Sequence, residues 1–204
     1  KRIDGDPGKL NSAVQDVLRE LVREHKSVIF NGDNYSEAWH AEAVKRGLPN
    51  LRNAVDALPV LLSEKNISLM SRYNVLSPRE MESRYEIYME RYIKDVTVEA
   101  RLTLEIARTT IFPATVKYQH QLASAALALK QLGKDPCLTV LDEVTGLARN
   151  LQDAIVVLEK TLETRPEGST LDHATHVRDH LIPAMSRVRE VSDRLECVVS
   201  DEFW

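Results

Sequence analysis

The stretch SPREMESRYEIYMERYIKDVTVEARLTLEIARTTIFPATVKYQHQLASAALALKQLG, Ser77 to Gly133, decides the fold. It opens with Ser-Pro-Arg-Glu, in which Ser77 fits an N-cap, Pro78 the first helical position and Glu80 the reciprocal capping carboxylate. No glycine follows until Gly133, so the pattern predicts a helix of about fifty residues. Pro113 interrupts it and is expected to kink or break it near Phe112, because proline removes an amide donor and its ring crowds the preceding turn. Tyr85, Tyr88, Tyr92 and Val96 recur at helical spacing. Leu102, Ile106, Thr109 or Thr110, and Pro113 are expected to continue that face.

Two further long helices follow from the same reasoning. GKDP at 133–136 is a turn, and Leu141, Val144, Leu147, Leu151, Ile155 and Leu158 line a helix from about 138 to 164. RPEGS at 165–169 is the next turn. A third helix over about 170–200 carries Leu171, Val177, Leu181, Met185, Val188, Val191, Leu195 and Val198, with a bend at Pro183. Three long antiparallel helices joined by short turns make an all-α, up-down bundle. A helix over about 11–26, with Leu10, Val14, Val17, Leu18, Leu21 and Val22 on one side and Asn11 or Ser12 as cap, is a candidate fourth member. Residues 1–76, with this helix, a loop and shorter helices, are expected to pack on the bundle of 77–204, the two together forming one domain.

Between these parts, SVIF at 27–30 reads as an extended piece without a strand partner. FNGDNYSEAW, Phe30 to Trp39, offers a tight turn at Asn31, Gly32 and Asp33. Asn34 with Glu37 forms a capping pair (Ser36 is the alternative), and Tyr35 and Trp39 are aromatic anchors. The helix that follows ends at Gly47, the expected left-handed position, before Pro49. Asp56 can cap ALPVLL, with Pro59 in the first turn.

Composition narrows the functional classes. The 204 residues carry a formal net charge of −4, against a nucleic-acid partner, which needs a basic face. Charged residues are 28 % and the hydrophobic set 43 %, so a core and a well-solvated surface are both available. No apolar run approaches the roughly 18 residues of a membrane span, and the first ten residues are polar, so a cytoplasmic setting without membrane contact is expected. Cys137 and Cys197 form no CxxC and read as buried reduced thiols.

Several features invite chemistry. His173, His176 and His180 stand at i, i+3 and i+7 with Asp172 and Asp179 nearby, a spacing that either holds a divalent metal or lines a solvated helix face. The tyrosine stripe interleaves with Arg84 and Arg91, which could stack bases, but Glu82, Glu86 and Glu90 cut across it and favour core or interface packing. FNGDNYS matches neither GxGxxG nor GxxxxGK[ST]. No nucleophile has a neighbouring base in local context. Local residues therefore predict no catalytic site.

The motifs FNGDNYSEAW, RGLPNL, ALPVL, SPREMESRYEIYMERY and the later EA…PATVKYQ, in this order, closely resemble the C-terminal region of type III glutamine synthetases, with a likeness running from about residue 10 to 204. That family joins ammonia to glutamate with ATP and Mg²⁺ or Mn²⁺, through a γ-glutamyl phosphate, in domains upstream of this region. The family's metal-binding and phosphate-binding motifs do not occur here, so no catalytic residue carries over. The resemblance implies an assembly or regulatory domain. Phe30, Asn31, Gly32, Asp33, Asn34, Tyr35 and Trp39, with Tyr85 and Tyr88, would then contact the catalytic domain and neighbouring subunits of a homo-oligomer. The alternative is a stand-alone helical binding module, with metal at the histidine face.

Overall fold

The computed structural model describes residues 6–204. Its ordered elements are all helical, with no strand among the described residues. Contacts divide the chain after Arg52 into two compact units.

In the first unit, α1 spans Leu10–Glu24 and α2 spans Glu37–Lys45. The expected cap of α1 is not used: Lys9 occupies the N-cap position without a side-chain bond, and the Ser12 hydroxyl donates back to the Lys9 carbonyl. The apolar stripe of α1 is real, yet none of its residues is buried. SVIF is not a strand. Lys26–Val28 close a 3₁₀ turn and Ile29 after it is extended, since a lone β-branched run with no ladder to join cannot satisfy its backbone groups as a strand.

In the second unit, α3 (Ala54–Ala57) runs into a 3₁₀ stretch at Leu58–Leu62, and α4 follows at Glu64–Arg72. Asn53, rather than Asp56, caps α3: its side chain accepts from the Asp56 amide at 2.9 Å and donates to the Asp56 carboxylate at 2.7 Å. The bundle proper comprises α5 (Pro78–Ile106), α6 (Phe112–Gln131), α7 (Thr139–Glu163), α8 (Thr170–His176) and α9 (Ile182–Glu196). The complete capping box at Ser77 and Glu80 is formed. A second box at Ser169 and Asp172, which the sequence reading passed over, starts α8.

Pro113 neither breaks nor sharply ends its helix. A π turn at Ala107–Ile111 precedes it, and the Phe112 amide bonds to the Ala107 carbonyl five residues back. The wider turn shifts the hydrogen-bond register just ahead of the proline, which has no amide hydrogen to donate. The same solution recurs at Pro183, where Val177–Leu181 form a π turn and the Ile182 amide reaches Val177. The local sequences correspond, ARTTIFPA at 107–114 and VRDHLIPA at 177–184.

Cross-helix pairs fix the topology. Arg108 on the first π turn pairs with Glu159, and Gln119 on α6 bonds to Thr145 at 2.8 Å, so α7 runs antiparallel to α5–α6. At the bundle's end Tyr118 meets Phe203 at 5.9 Å, so the chain beyond α9 returns to the level of α6. The core consists of Leu147, Leu151, Ile155 and Leu158 of α7 against Leu181, Val188, Val191 and Leu195. On the first long helix Ala100 and Ala107 are fully buried, with Tyr92, Ile93, Val96 and Leu104 packed against the same core. The expected continuation through Leu102 and Ile106 is corrected, since both are exposed, as is Tyr88, which turns outward from the Tyr85–Tyr92 line. Cys137 and Cys197 are free and exposed rather than buried, lying at the turn before α7 and the end of α9.

Candidate functional site

The signature stretch builds a small aromatic platform in the first unit. Phe30 stacks on Trp39 with centroids 4.6 Å apart and an interplanar angle of 29°. Arg46 lies over the other part of this assembly, 5.7 Å from the Trp39 ring, in cation–π range. Its guanidinium donates to the carbonyls of Ile29 (2.8 Å) and Ser27 (3.3 Å) and to Glu42 (2.7 Å), so one side chain ties the incoming segment to α2. That hydrogen bond holds the Glu42 carboxyl below its usual range. Sequence reasoning missed Arg46; the Glu42–Arg46 spacing of four on a helix was the available signal.

Gly32 gives the Phe30 ring its room. A Cβ there would stand 2.7–2.8 Å from Phe30 ring carbons, so any larger residue forces that ring to move. Asp33 then closes the turn, its carboxylate accepting from the Tyr35 amide at 2.9 Å and its carbonyl from the Ser36 hydroxyl at 2.6 Å. Asn34 is therefore not the cap. Ser36 holds the N-cap position of α2, with its hydroxyl committed backwards to Asp33. Tyr35 is 94 % exposed and anchors nothing within the unit, whereas Trp39 is half-buried. The helix ends as expected: Gly47 has φ 74°, its amide bonds to Val44 and the next amide, of Leu48, to Ala43.

The tyrosines of α5 separate by role. Tyr85 is buried with Met89, Val55 and Ala174, next to Leu58 and Leu62, and so docks the short helices on the long one. Burial pushes its phenol above the ordinary value, and the same cause acts on Tyr92. Tyr88 is open to solvent. Nearby, Arg178 forms a fork on Asp179 (2.6 and 2.9 Å) and reaches Asp56 at 2.7 Å, locking α3 to the second π turn. The bond from Arg178 holds the Asp179 carboxyl low.

The histidine face does not assemble as a metal centre. His173 Nε2 lies 2.6 Å from the Pro166 carbonyl and His176 Nε2 lies 3.4 Å from that of Thr161. The π turn inserts an extra residue between His176 and the helix beyond, and His180 is exposed, its ring 5.1 Å from that of His176. Among the described residues no three His, Cys, Asp or Glu side chains are placed to share a metal ion.

Two apolar rows face outward. On α1, Leu10, Val14, Val17, Leu18, Leu21 and Val22 are each between 37 % and 54 % exposed. On α5, Val98, Leu102 and Ile106 form an exposed line at spacing four, on the side away from the bundle core. No helix among the described residues is long and apolar enough to cross a membrane. Contiguous exposed apolar rows of this kind exceed the scattered apolar residues of an ordinary solvated surface.

Residues 13–130 match the family described as the glutamine synthetase C-terminal domain. The chain is 32 % identical over 205 residues to a type-3 glutamine synthetase of Dictyostelium discoideum, covering 95 % of this chain and 28 % of that protein. It is 30 % identical over 200 residues to a glutamine synthetase of Butyrivibrio fibrisolvens, covering 96 % and 29 %. A glutamine synthetase of Bacteroides fragilis is 23 % identical over 203 residues, covering 95 % and 28 %. The chain thus spans less than a third of the length of the curated relatives it matches.

Proposed function

The chain belongs to the glutamine synthetase C-terminal domain family, and from that premise we propose that it is the assembly part of a type III enzyme, without catalytic residues of its own. The parent reaction is the ATP-dependent ligation of ammonia to glutamate. ATP and Mg²⁺ or Mn²⁺ are bound by upstream domains, in a cytoplasmic homo-oligomer. The observation that carries this reading is the uncovered apolar row of α1, which lies almost wholly within the matched residues. A 15-residue helix is marginal alone and gains its stability by burying such a face. The catalytic domain or a neighbouring subunit is the partner that supplies the opposite surface. Tyr35, open beside the Phe30–Trp39 platform, extends the contact.

Two measurements test the proposal. The chain alone, assayed for γ-glutamyl transfer with ATP and Mn²⁺, is expected to show no turnover. Immobilised, it is expected to capture the separately expressed upstream region of a type-3 relative, and Val17→Asp with Leu21→Asp to weaken capture at least tenfold. Turnover by the chain, or capture indifferent to both substitutions, would overturn the reading.

A further inference from the structure

We propose that the cleft between α5, the α7–α8 turn and α8 binds a small carboxylate or phosphate anion, held by Arg101 and Arg165. This inference concerns the second unit alone and does not depend on the assembly role.

The cleft has a volume of about 220 Å³. Ile93, Leu162, Val177 and Leu181 make its apolar part, and Arg101, Arg165, His173 and His176 its polar part. No carboxylate lines it. Two other arginines of the bundle are held by carboxylates, Arg108 by Glu159 and Arg178 by Asp56 and Asp179. Arg101 and Arg165 make no hydrogen bond or ion pair among the described residues. Two unmatched guanidinium groups around one cleft, with a low-dielectric wall behind them, focus a field that favours an anion. Each fork can take a carboxylate or phosphate with two parallel hydrogen bonds.

The threonine hydroxyls of the cleft are already committed, which sharpens the assignment. The hydroxyls of Thr97, Thr161 and Thr164 donate to the carbonyls of Ile93, Val157 and Lys160 on their own helices. They offer the cleft no proton. At His173 the partner is a carbonyl, which only accepts, so Nε2 carries the hydrogen and pins the ring against the turn that bears Arg165. Charge recognition therefore falls to the two arginines, and the histidine rings form a fixed wall. The volume suits a carboxylate of a few carbons or a phosphate ester of similar size, and is too small for a nucleotide.

The test uses the 204-residue chain with inorganic phosphate and succinate as probes, and sodium chloride at matched ionic strength as reference. Thermal unfolding is followed by circular dichroism. A saturable rise in Tm with phosphate or succinate, beyond that in chloride, is expected. Arg101→Ala and Arg165→Ala are each expected to raise the half-saturating concentration about tenfold or more, the worth of one charge-assisted hydrogen bond. Arg149→Ala, about 18 Å from Thr161 toward the start of α7, should leave it unchanged. All three side chains belong to exposed residues, so the variants keep the core, and far-ultraviolet spectra check that they do. Ring-proton resonances of His173 and His176 should shift with the probe that binds. A response to phosphate alone assigns the site to phosphorylated ligands, and one to succinate alone assigns it to carboxylates. No saturable shift with either probe, or equal responses in the Arg101, Arg165 and Arg149 variants, would overturn the proposal.

Discussion

Tyr85 separates packing from chemistry in one pair of substitutions. Its ring is 8 % exposed and lies among Met89, Val55 and Ala174, against Leu58 and Leu62. Burying an aromatic side chain removes roughly 150–250 Å² from water. At about 25 cal/mol per Å², that is about 4–6 kcal/mol, and a partly collapsed unfolded chain reduces it to about 3–4 kcal/mol. Aromatic-to-alanine truncations in cores cost about 3–5 kcal/mol, in agreement. Tyr85→Ala should therefore lower the Tm of the second unit by about 6–16 °C, at about 2–4 °C per kcal/mol. Tyr85→Phe keeps the ring and removes a hydroxyl that has no side-chain or backbone partner among the described hydrogen bonds, so it should cost under about 1 kcal/mol. Helical circular dichroism during heating and during urea titration measures both. A Tyr85→Ala loss below about 1 kcal/mol would refute the docking of the short helices through this ring. A Tyr85→Phe loss as large as that of alanine would show that the hydroxyl, not the ring, holds the site.

Gly32→Ala should push Phe30 off Trp39, at about 1–3 kcal/mol of overpacking, changing tryptophan fluorescence and near-ultraviolet dichroism with little change in helix content. An unchanged tryptophan signal would count against the platform. Acid should destabilise the second unit. The Ser77 amide and hydroxyl hold Glu80 low, the Ser169 hydroxyl and amide hold Asp172 low, and bonds from Arg108 and Arg178 do the same for Glu159 and Asp179. A carboxyl whose folded pKa is depressed contributes stability above its unfolded value and loses it as pH falls through the folded one. Tm should therefore hold from pH 7 to about 5 and fall below about pH 4, less steeply in Asp172→Asn. A Tm flat down to pH 3 would contradict this.

The legible parts of the fold were those set by local chemistry. Ser77-Pro-Arg-Glu80 begins a helix because its cap, proline and carboxylate all act within one turn. Gly47 ends another because its left-handed φ excludes most side chains. The heptad-like row from Leu147 to Leu158 needed only periodicity. What periodicity could not reveal was phase. Each π turn adds a residue to one turn, which rotates everything beyond it by about 100° relative to an unbroken helix. His180 falls inside the second of these turns and is exposed, its ring beside that of His176, while His173 and His176 turn their Nε2 atoms to backbone carbonyls. The row through Leu102 and Ile106 failed for a different reason. The bundle buries Ala100 and Ala107 with Val96 and Leu104 packed beside them, a face that leaves Leu102 and Ile106 on the outer side. Nor could local pattern rank Asn53 over Asp56 as a cap, since the two differ only in which turn of α3 comes first.

The exposed row of α1 makes one last expectation about dynamics. Nucleating a helix costs several fixed residues for one hydrogen bond, so a 15-residue helix with no buried side chain has little to oppose fraying. In α7, by contrast, Val144, Leu151 and Leu158 are fully buried, and opening that helix requires exposing the bundle core. Amide exchange of the chain should then be fast throughout Leu10–Glu24 and slow at the centre of Thr139–Glu163, a difference of several orders of magnitude at equal pH. Adding the upstream region of a type-3 relative should slow α1 and leave α7 as it was, because only the former gains a covering surface. If α1 is already as protected as α7 in the chain by itself, its apolar row is stabilised without a partner. The docking role would then have to rest on Tyr35 and the exposed line of α5 instead.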